Sequence, residues 1–220
     1  SFSIFEIDPL ELARQWTLSD HALFCTNTAI VTLNRSQQAK LGILGTGIWG
    51  GVRAFIDRFN ALSSWIIFSI LKETELQIRI KRITYYIKLA SYMAELANFN
   101  GLMIILTSLQ QGCINRLKYT FDGVNKHDKQ KLQQLQKTMS GLKNYQQYRN
   151  FHAVVPHLGA HLAELTSINE GNNDYLIDRP YLYNCEKLKL LSNTLLLLNK
   201  MQSIQYNLIP IRNIISSINF

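Results

Sequence analysis

The sequence predicts an all-α protein, and three observations predict it. Apolar residues recur at alternating steps of three and four along several segments. Proline is scarce, at four in 220 residues. No run shows a sustained two-residue alternation closed by Asn-Gly or Asp-Gly turns. With 47% apolar residues, ten Phe, ten Tyr and three Trp, the chain can bury a sizeable core and lies outside the disordered class. It reads as one multi-helical domain over residues 1–220, with neither an internal repeat nor a second domain.

Taken in order, residues 1–16 carry Glu6, Asp8 and Glu11 where a secretory signal would be basic and then apolar. Residues 25–51 are rich in Thr, Asn, Ser and Gly and hold no helical stripe, so they form a loop-rich connection. A helix carrying Phe55, Phe59 and Leu62 follows. Ile80, Ile83, Ile87, Ala90, Ala94 and Ala97 then trace one stripe of an amphipathic helix. Phe99 to Leu109 is apolar nearly all round, as a buried central helix should be. Leu132, Leu135, Met139 and Leu142 repeat the three-four step on a Gln- and Lys-rich background, giving a helix with one wet face. Leu188, Leu191, Leu195 and Leu198 do the same, with a start at Asn184 or Cys185 and a later stop at Pro210.

Cys25, Cys113 and Cys185 are far apart and odd in number, so they imply a reducing compartment and no disulfide framework. The longest apolar stretches, such as Trp65 to Leu71 and Leu195 to Leu198, fall short of the roughly 20 residues that span a bilayer, which predicts a soluble chain, at most peripheral to a membrane. The formal net charge of +8 allows a nucleic-acid or anionic-lipid surface. Its clusters, Arg79 to Arg82 and Lys126 to Lys143, also have helical period, which suits a solvated helix face.

Two motifs are weighed against plainer readings. Gly45-Thr46-Gly47-Ile48-Trp49-Gly50 has dinucleotide-loop spacing but lacks the surrounding βαβ unit, and so reads as a turn before a helix. His157 and His161, four apart, would share a helix face near Glu164 without a convincing third ligand, and read as satisfied or partly exposed histidines rather than a metal site. No nucleophile elbow or recognisable cysteine context supports covalent catalysis. Neither a cofactor nor a metal is expected.

Four segments, in order and at matching spacing, carry a resemblance. They are Phe5-Glu6-Ile7-Asp8-Pro9-Leu10-Glu11-Leu12-Ala13-Arg14-Gln15-Trp16-Thr17-Leu18; Asn60 to Trp65 with Glu95-Leu96-Ala97-Asn98-Phe99-Asn100-Gly101; Arg116-Leu117 and Thr120-Phe121 through Asn144-Tyr145-Gln146-Gln147-Tyr148-Arg149; and Val155-Pro156 through Leu162, Leu165-Thr166 and Glu170-Gly171-Asn172. Leu182 to Glu186 and Gln205 to Leu208 extend the match weakly. Together they resemble the catalytic, Cdc25-homology domain of Ras guanine-nucleotide exchange factors. Residues 25–51 depart from the family, His157 stands where an aromatic is usual, and Glu164 stands where Asp or Asn is usual. Because the match starts at Phe5, the resemblance leaves the N-terminal helical module that often braces the hairpin in that family outside what is expected within residues 1–220.

The resemblance implies a helical hairpin at about residues 160–200 that wedges open the nucleotide-covering switch of a small GTPase. It would comprise Leu162 to Glu170, a turn at Gly171 to Asp174, and a returning helix that includes Glu186 to Asn199. Thr166 and Glu170 would be its catalytic residues, the first crowding the GTPase's magnesium site and the second facing its phosphate loop. Gly171 also makes Glu170 a plain helix-end carboxylate on the alternative reading. Phe55, Met103, Gln110, Tyr145 and Asn172 would contact the GTPase, although Met103 also suits a core position. Asn98, Asn100 and Arg116 would be hydrogen-bonders beneath the site. The implied partner is a Ras-family GTPase of the Ras or Rap branch, met by a monomer in the cytoplasm, with membrane contact only through the GTPase and no nucleic acid bound. The alternatives are an inactive GTPase-binding scaffold and a basic helical module for nucleic acid or lipid.

Overall fold

Asp8 begins the first helix because its carboxylate accepts from the amides of Leu10 at 2.9 Å and Glu11 at 3.3 Å, while Pro9 takes a first-turn position that needs no donor. This and all that follows comes from a computed structural model that describes residues 4–26, 49–141, 145, 147–150 and 152–218. The expectations for Gly45 to Ile48, for Leu142, and for Asn144 and Gln146 fall outside the described residues.

The body is helical. Helix α1 (Pro9–Cys25) buries Leu12, Ala13, Trp16 and Phe24. Helix α2 (Trp49–Leu71) buries Val52, Phe55, Leu62, Ile66 and Ile70, and α3 (Leu76–Glu95) buries Ile83, Tyr86, Ile87, Ala90 and Met93. Helix α4 (Phe99–Gln110) runs through the middle against α1, α2 and α3, buried along most of its length as its all-round apolar sequence predicts. Short α5 (Gly112–Asn115) and α6 (Lys118–Gly123) lead to α7 (Lys126–Thr138). There Leu132 is buried, and Met139 is already past the helix as its C-cap.

The predicted α3 stripe overshoots. Ala97 lies beyond the helix with φ at +55°, while the amide of Asn98 reaches back to the carbonyl of Met93 at 2.9 Å and that of Ala97 to Ala94 at 3.1 Å. This is a Schellman stop with alanine where glycine is usual. It frees Asn98 to cap α4, its Oδ1 accepting from Gly101 at 2.8 Å. It also lets the amide of Phe99 bond to the carbonyl of Val155 at 2.9 Å, which fastens the segment leading to the next helix onto the body.

One buried carboxylate joins three helices. Asp20 of α1 is fully buried and accepts from Trp16 Nε1 at 3.0 Å, Arg58 Nε of α2 at 2.9 Å, and the side-chain amides of Asn98 and Asn100 at 3.2 and 3.3 Å. A charge taken out of water needs such partners. Asn98 and Asn100 are thus the structural hydrogen-bonders the sequence predicts. Arg116 is not: it is exposed, and its Nε donates to the carbonyl of Gly112 within its own turn.

Two further elements form a hairpin. Helix α8 (Leu158–Gly171) packs against α9 (Cys185–Ser203). Between them, where a simple turn is expected, an antiparallel ribbon pairs β1 (Tyr175–Leu176) with β2 (Arg179–Tyr183). Every ribbon residue is exposed, so no buried face imposed the alternation by which strands are read. The α9 stripe also sits differently from its prediction. Leu188 is exposed, and the inward face carries Lys187, Thr194, Leu198 and Met201.

The C-terminal strap returns to the body. Gln15 of α1 donates to the carbonyl of Ile209 at 2.9 Å and accepts from the amide of Ile211 at 2.7 Å, and α10 (Arg212–Ile218) packs on α1. Val52–Leu71, with mean hydropathy 1.3, is long and apolar enough to cross a membrane, contrary to the sequence expectation. In this fold it is a core helix, its inner face buried and Arg58 bound to Asp20.

Candidate functional site

The end of α8 is built by a lysine the sequence reading did not single out. Lys187 is 4% exposed, and its ammonium donates to the carbonyls of Asn169 at 2.9 Å and Asn172 at 2.8 Å and to Asp174 Oδ1 at 2.7 Å. The last carbonyls of a helix lack internal partners and form its negative pole, so a cation there is doubly favoured. This contact explains why α9 turns Lys187 inward and leaves Leu188 outside. Asn184 completes the junction, capping α9 through its Oδ1 and donating to the carbonyl of Asn173 at 3.1 Å.

Glu170 stands on the last turn so fixed. It is exposed, and no ion pair or hydrogen bond engages it among the described residues. A carboxylate at the negative pole of a helix is unfavourable by ~0.3–1 kcal/mol, so helix stability gives no reason for this residue. Thr166 lies one turn earlier on the same face, half-buried, its hydroxyl donating to the carbonyl of Leu162 at 2.9 Å. Asn172 is the C-cap of the same helix, and its side-chain amide donates to the carbonyl of Ile168 at 2.9 Å.

Met103 and Gln110 share a different face. On the otherwise buried α4, Met103 and Thr107 are half-buried and Gln110 is exposed, spaced four and then three apart, so they form that helix's one wet stripe. Thr107 was not predicted, although its spacing from the other two would have found it. Phe55 is only 3% exposed and packs towards Phe24, with ring centroids 6.4 Å apart. It shapes the core and offers almost no surface.

At the foot of α8 lies an aromatic and titratable cluster. Tyr145 holds a left-handed backbone, φ +57°, which is costly for a bulky residue. Its ring lies 5.5 Å from that of His157 and 6.4 Å from that of Tyr148, and Phe59 lies 6.3 Å from His157 on another side. The buried hydroxyl of Tyr148 accepts from the amide of His157 at 3.1 Å and meets Nε2 of buried His161 at 3.2 Å. Arg149 pairs with Glu164 at 2.8 Å. Burial, followed by the nearness of His161, pushes His157 down to about 4, and burial followed by the charge of Arg149 pushes His161 down to about 4. Both imidazoles are therefore neutral at neutral pH. Among the described residues, no group of three His, Cys, Asp or Glu side chains is placed to hold a metal ion.

Thr166, Glu170 and Asn172 thus gather at the far end of α8, Tyr145 stands at its foot, and Met103 and Gln110 lie on α4. The Arg149 to Glu164 pair escaped the sequence reading because its partners lie 15 residues apart, well beyond the three- and four-residue steps that periodicity reads.

A family model described as the RasGEF domain matches residues 11–189. Ras guanine nucleotide exchange factor J of Dictyostelium discoideum is 34% identical over 97% of this chain and 26% of its own length. Factor A of the same organism is 31% identical over 97% of the chain and 36% of its own length. Guanine nucleotide exchange factor SDC25 of Saccharomyces cerevisiae is 32% identical over 80% of the chain and 14% of its own length. The chain therefore spans about a third or less of these curated relatives.

Proposed function

As the chain belongs to the RasGEF domain family, we propose that it is a guanine-nucleotide exchange factor for a Ras-family small GTPase, of the Ras or Rap branch, that speeds GDP release so that GTP can enter. The observation that carries this reading is Glu170, an exposed carboxylate held at the end of α8 by the Lys187 junction, where it does nothing for the helix that bears it.

Such a factor makes no bond; it must bind the nucleotide-free GTPase better than the loaded one. By linkage, whatever the factor does to nucleotide affinity, the nucleotide does to the factor's affinity, so GTP entry expels it. Helix α8 enters beside the switch that covers the nucleotide. Thr166 occupies space near the magnesium site, and Glu170 repels the phosphates and takes a hydrogen bond from the phosphate loop. The Met103, Thr107 and Gln110 stripe and the Tyr145 patch are half-open surfaces that suit the second switch segment; Met side chains adapt well to such contacts. The protein acts as a monomer in the cytoplasm, drawn to membranes through a lipid-bearing GTPase.

The test is release of fluorescent GDP from a panel of Ras-family GTPases. Wild type accelerates release on at least one member, and Glu170→Ala lowers that acceleration by roughly tenfold to a hundredfold, about 1.4–2.7 kcal/mol of stabilisation. If release is unaccelerated on every member while nucleotide-free GTPase still binds, the chain is a scaffold.

A further inference from the structure

We propose that His157 and His161 are positioning residues that hold α8 on the body only while both are uncharged, so that nucleotide release is gated by pH. The proposal rests on the exchange-factor reading for its consequence, but the device itself is a property of this chain.

The geometry comes first. Tyr148 has a single hydroxyl proton. Its oxygen accepts from the amide of His157, so that proton is free to be donated to Nε2 of His161. Nε2 is then an acceptor, and the ring proton of the neutral imidazole sits on Nδ1. Nδ1 is buried without a hydrogen-bond partner; the nearest carboxylate, Glu164 Oε2, is 3.9 Å away and already paired with Arg149. A second proton on His161 would place Nε2–H against Tyr148 and leave the tyrosine proton without an acceptor. The groups facing the two histidines are Tyr145, Tyr148 and Arg149 from the loop and Glu164 from α8 itself, with the uncharged ring of Phe59 from α2. The charge of Glu164 is spent on Arg149, and the guanidinium opposes an imidazolium. His157 meets the same burial and would be repelled by a charged His161.

A lever makes this foot matter. His161 to Glu170 is nine residues, about 13 Å along a helix, so a tilt of about 10° at the foot carries Glu170 by about 2 Å, well outside hydrogen-bond tolerance.

The sign follows from linkage. Both histidines bind protons more weakly in the docked state, near 4, than when released to water, near the ordinary value of 6.5. Docking is at full strength above about pH 6.5 and is lost as pH falls from there towards 4. At about pH 5.5 each histidine costs the docking equilibrium about tenfold, and the pair about a hundredfold.

The experiment measures amide hydrogen exchange of the wild-type chain without a GTPase, at pH 7.5 and 5.5, corrected for the intrinsic pH dependence of exchange. The expected result is that protection over residues 160–166 falls at least tenfold while that of Ile104 to Leu106 in α4 holds, and that His157→Phe with His161→Phe removes the difference. Unchanged protection at 160–166, or the same fall in the double variant, overturns the proposal. Should the double variant not fold, ring resonances of His157 and His161 in the wild type decide: titration near 6.5 with protection unchanged overturns it, and titration shifted well below with loss of protection supports it. Release of GDP on the responsive GTPase, corrected for that GTPase's own pH dependence, should fall in parallel. If protection moves but no GTPase responds at any pH, the exchange-factor reading fails and the hinge stands.

Discussion

Lys187 shows how much a single side chain can decide. Its ammonium fills the place that a run of unpaired carbonyls leaves open at the end of α8 and binds Asp174 at the root of the ribbon. Lys187→Met keeps the stem but takes the ammonium donor from the carbonyls of Asn169 and Asn172, so it should lower unfolding stability by about 1–3 kcal/mol in urea denaturation. Exchange rates should fall even where the variant remains folded, because Glu170 loses the turn that holds it. Lys187 could not be picked out from the sequence, since it bonds to backbone carbonyls that any residue supplies. The pair Thr166 and Glu170 came into view only through the resemblance carried by Leu165-Thr166 and Glu170-Gly171-Asn172; their spacing adds that they share one helix face.

At the scale of elements, periodicity gives position well and register less well. It locates α3, α4, α7 and α9, but it carries α3 on to Ala97, where a backbone bond to Met93 ends the helix, and it points Leu188 of α9 inward where Lys187 goes. Both misreadings come from tertiary partners, Val155 in the first case and the end of α8 in the second, that a local window cannot contain. The ribbon was illegible because nothing covers it. The outer face of α9 presents Leu188, Leu190, Leu196 and Leu197 to solvent, Leu196 at 62%. Leu196→Lys should therefore change stability by no more than ~0.5 kcal/mol, measured by thermal unfolding, whereas a core leucine would not tolerate lysine.

For the whole molecule, buried and half-buried tyrosines set the alkaline limit. Tyr85, Tyr86, Tyr148 and Tyr206 are all raised above the ordinary phenol value, first by burial. A phenol that ionises less readily when folded gives stability that is complete below about pH 10 and is lost as pH rises beyond it. In a spectroscopic titration these four should ionise only together with loss of helix. A wave of all phenols near pH 10 with the helix signal intact would contradict this account. The strap that closes the fold has a different consequence, for synthesis. Gln15 finds its backbone partners at Ile209 and Ile211, sequence separations of 194 and 196, and Arg58 donates to the carbonyl of Ile218, a separation of 160. As this domain leaves the ribosome, its first helix emerges before the backbone partners that Gln15 needs, which follow 194 and 196 residues later. Contacts of such long range form slowly, and an unfinished body exposes apolar surface meanwhile. The nascent domain is therefore most exposed to aggregation and to chaperones after its hairpin has appeared and before its strap has closed.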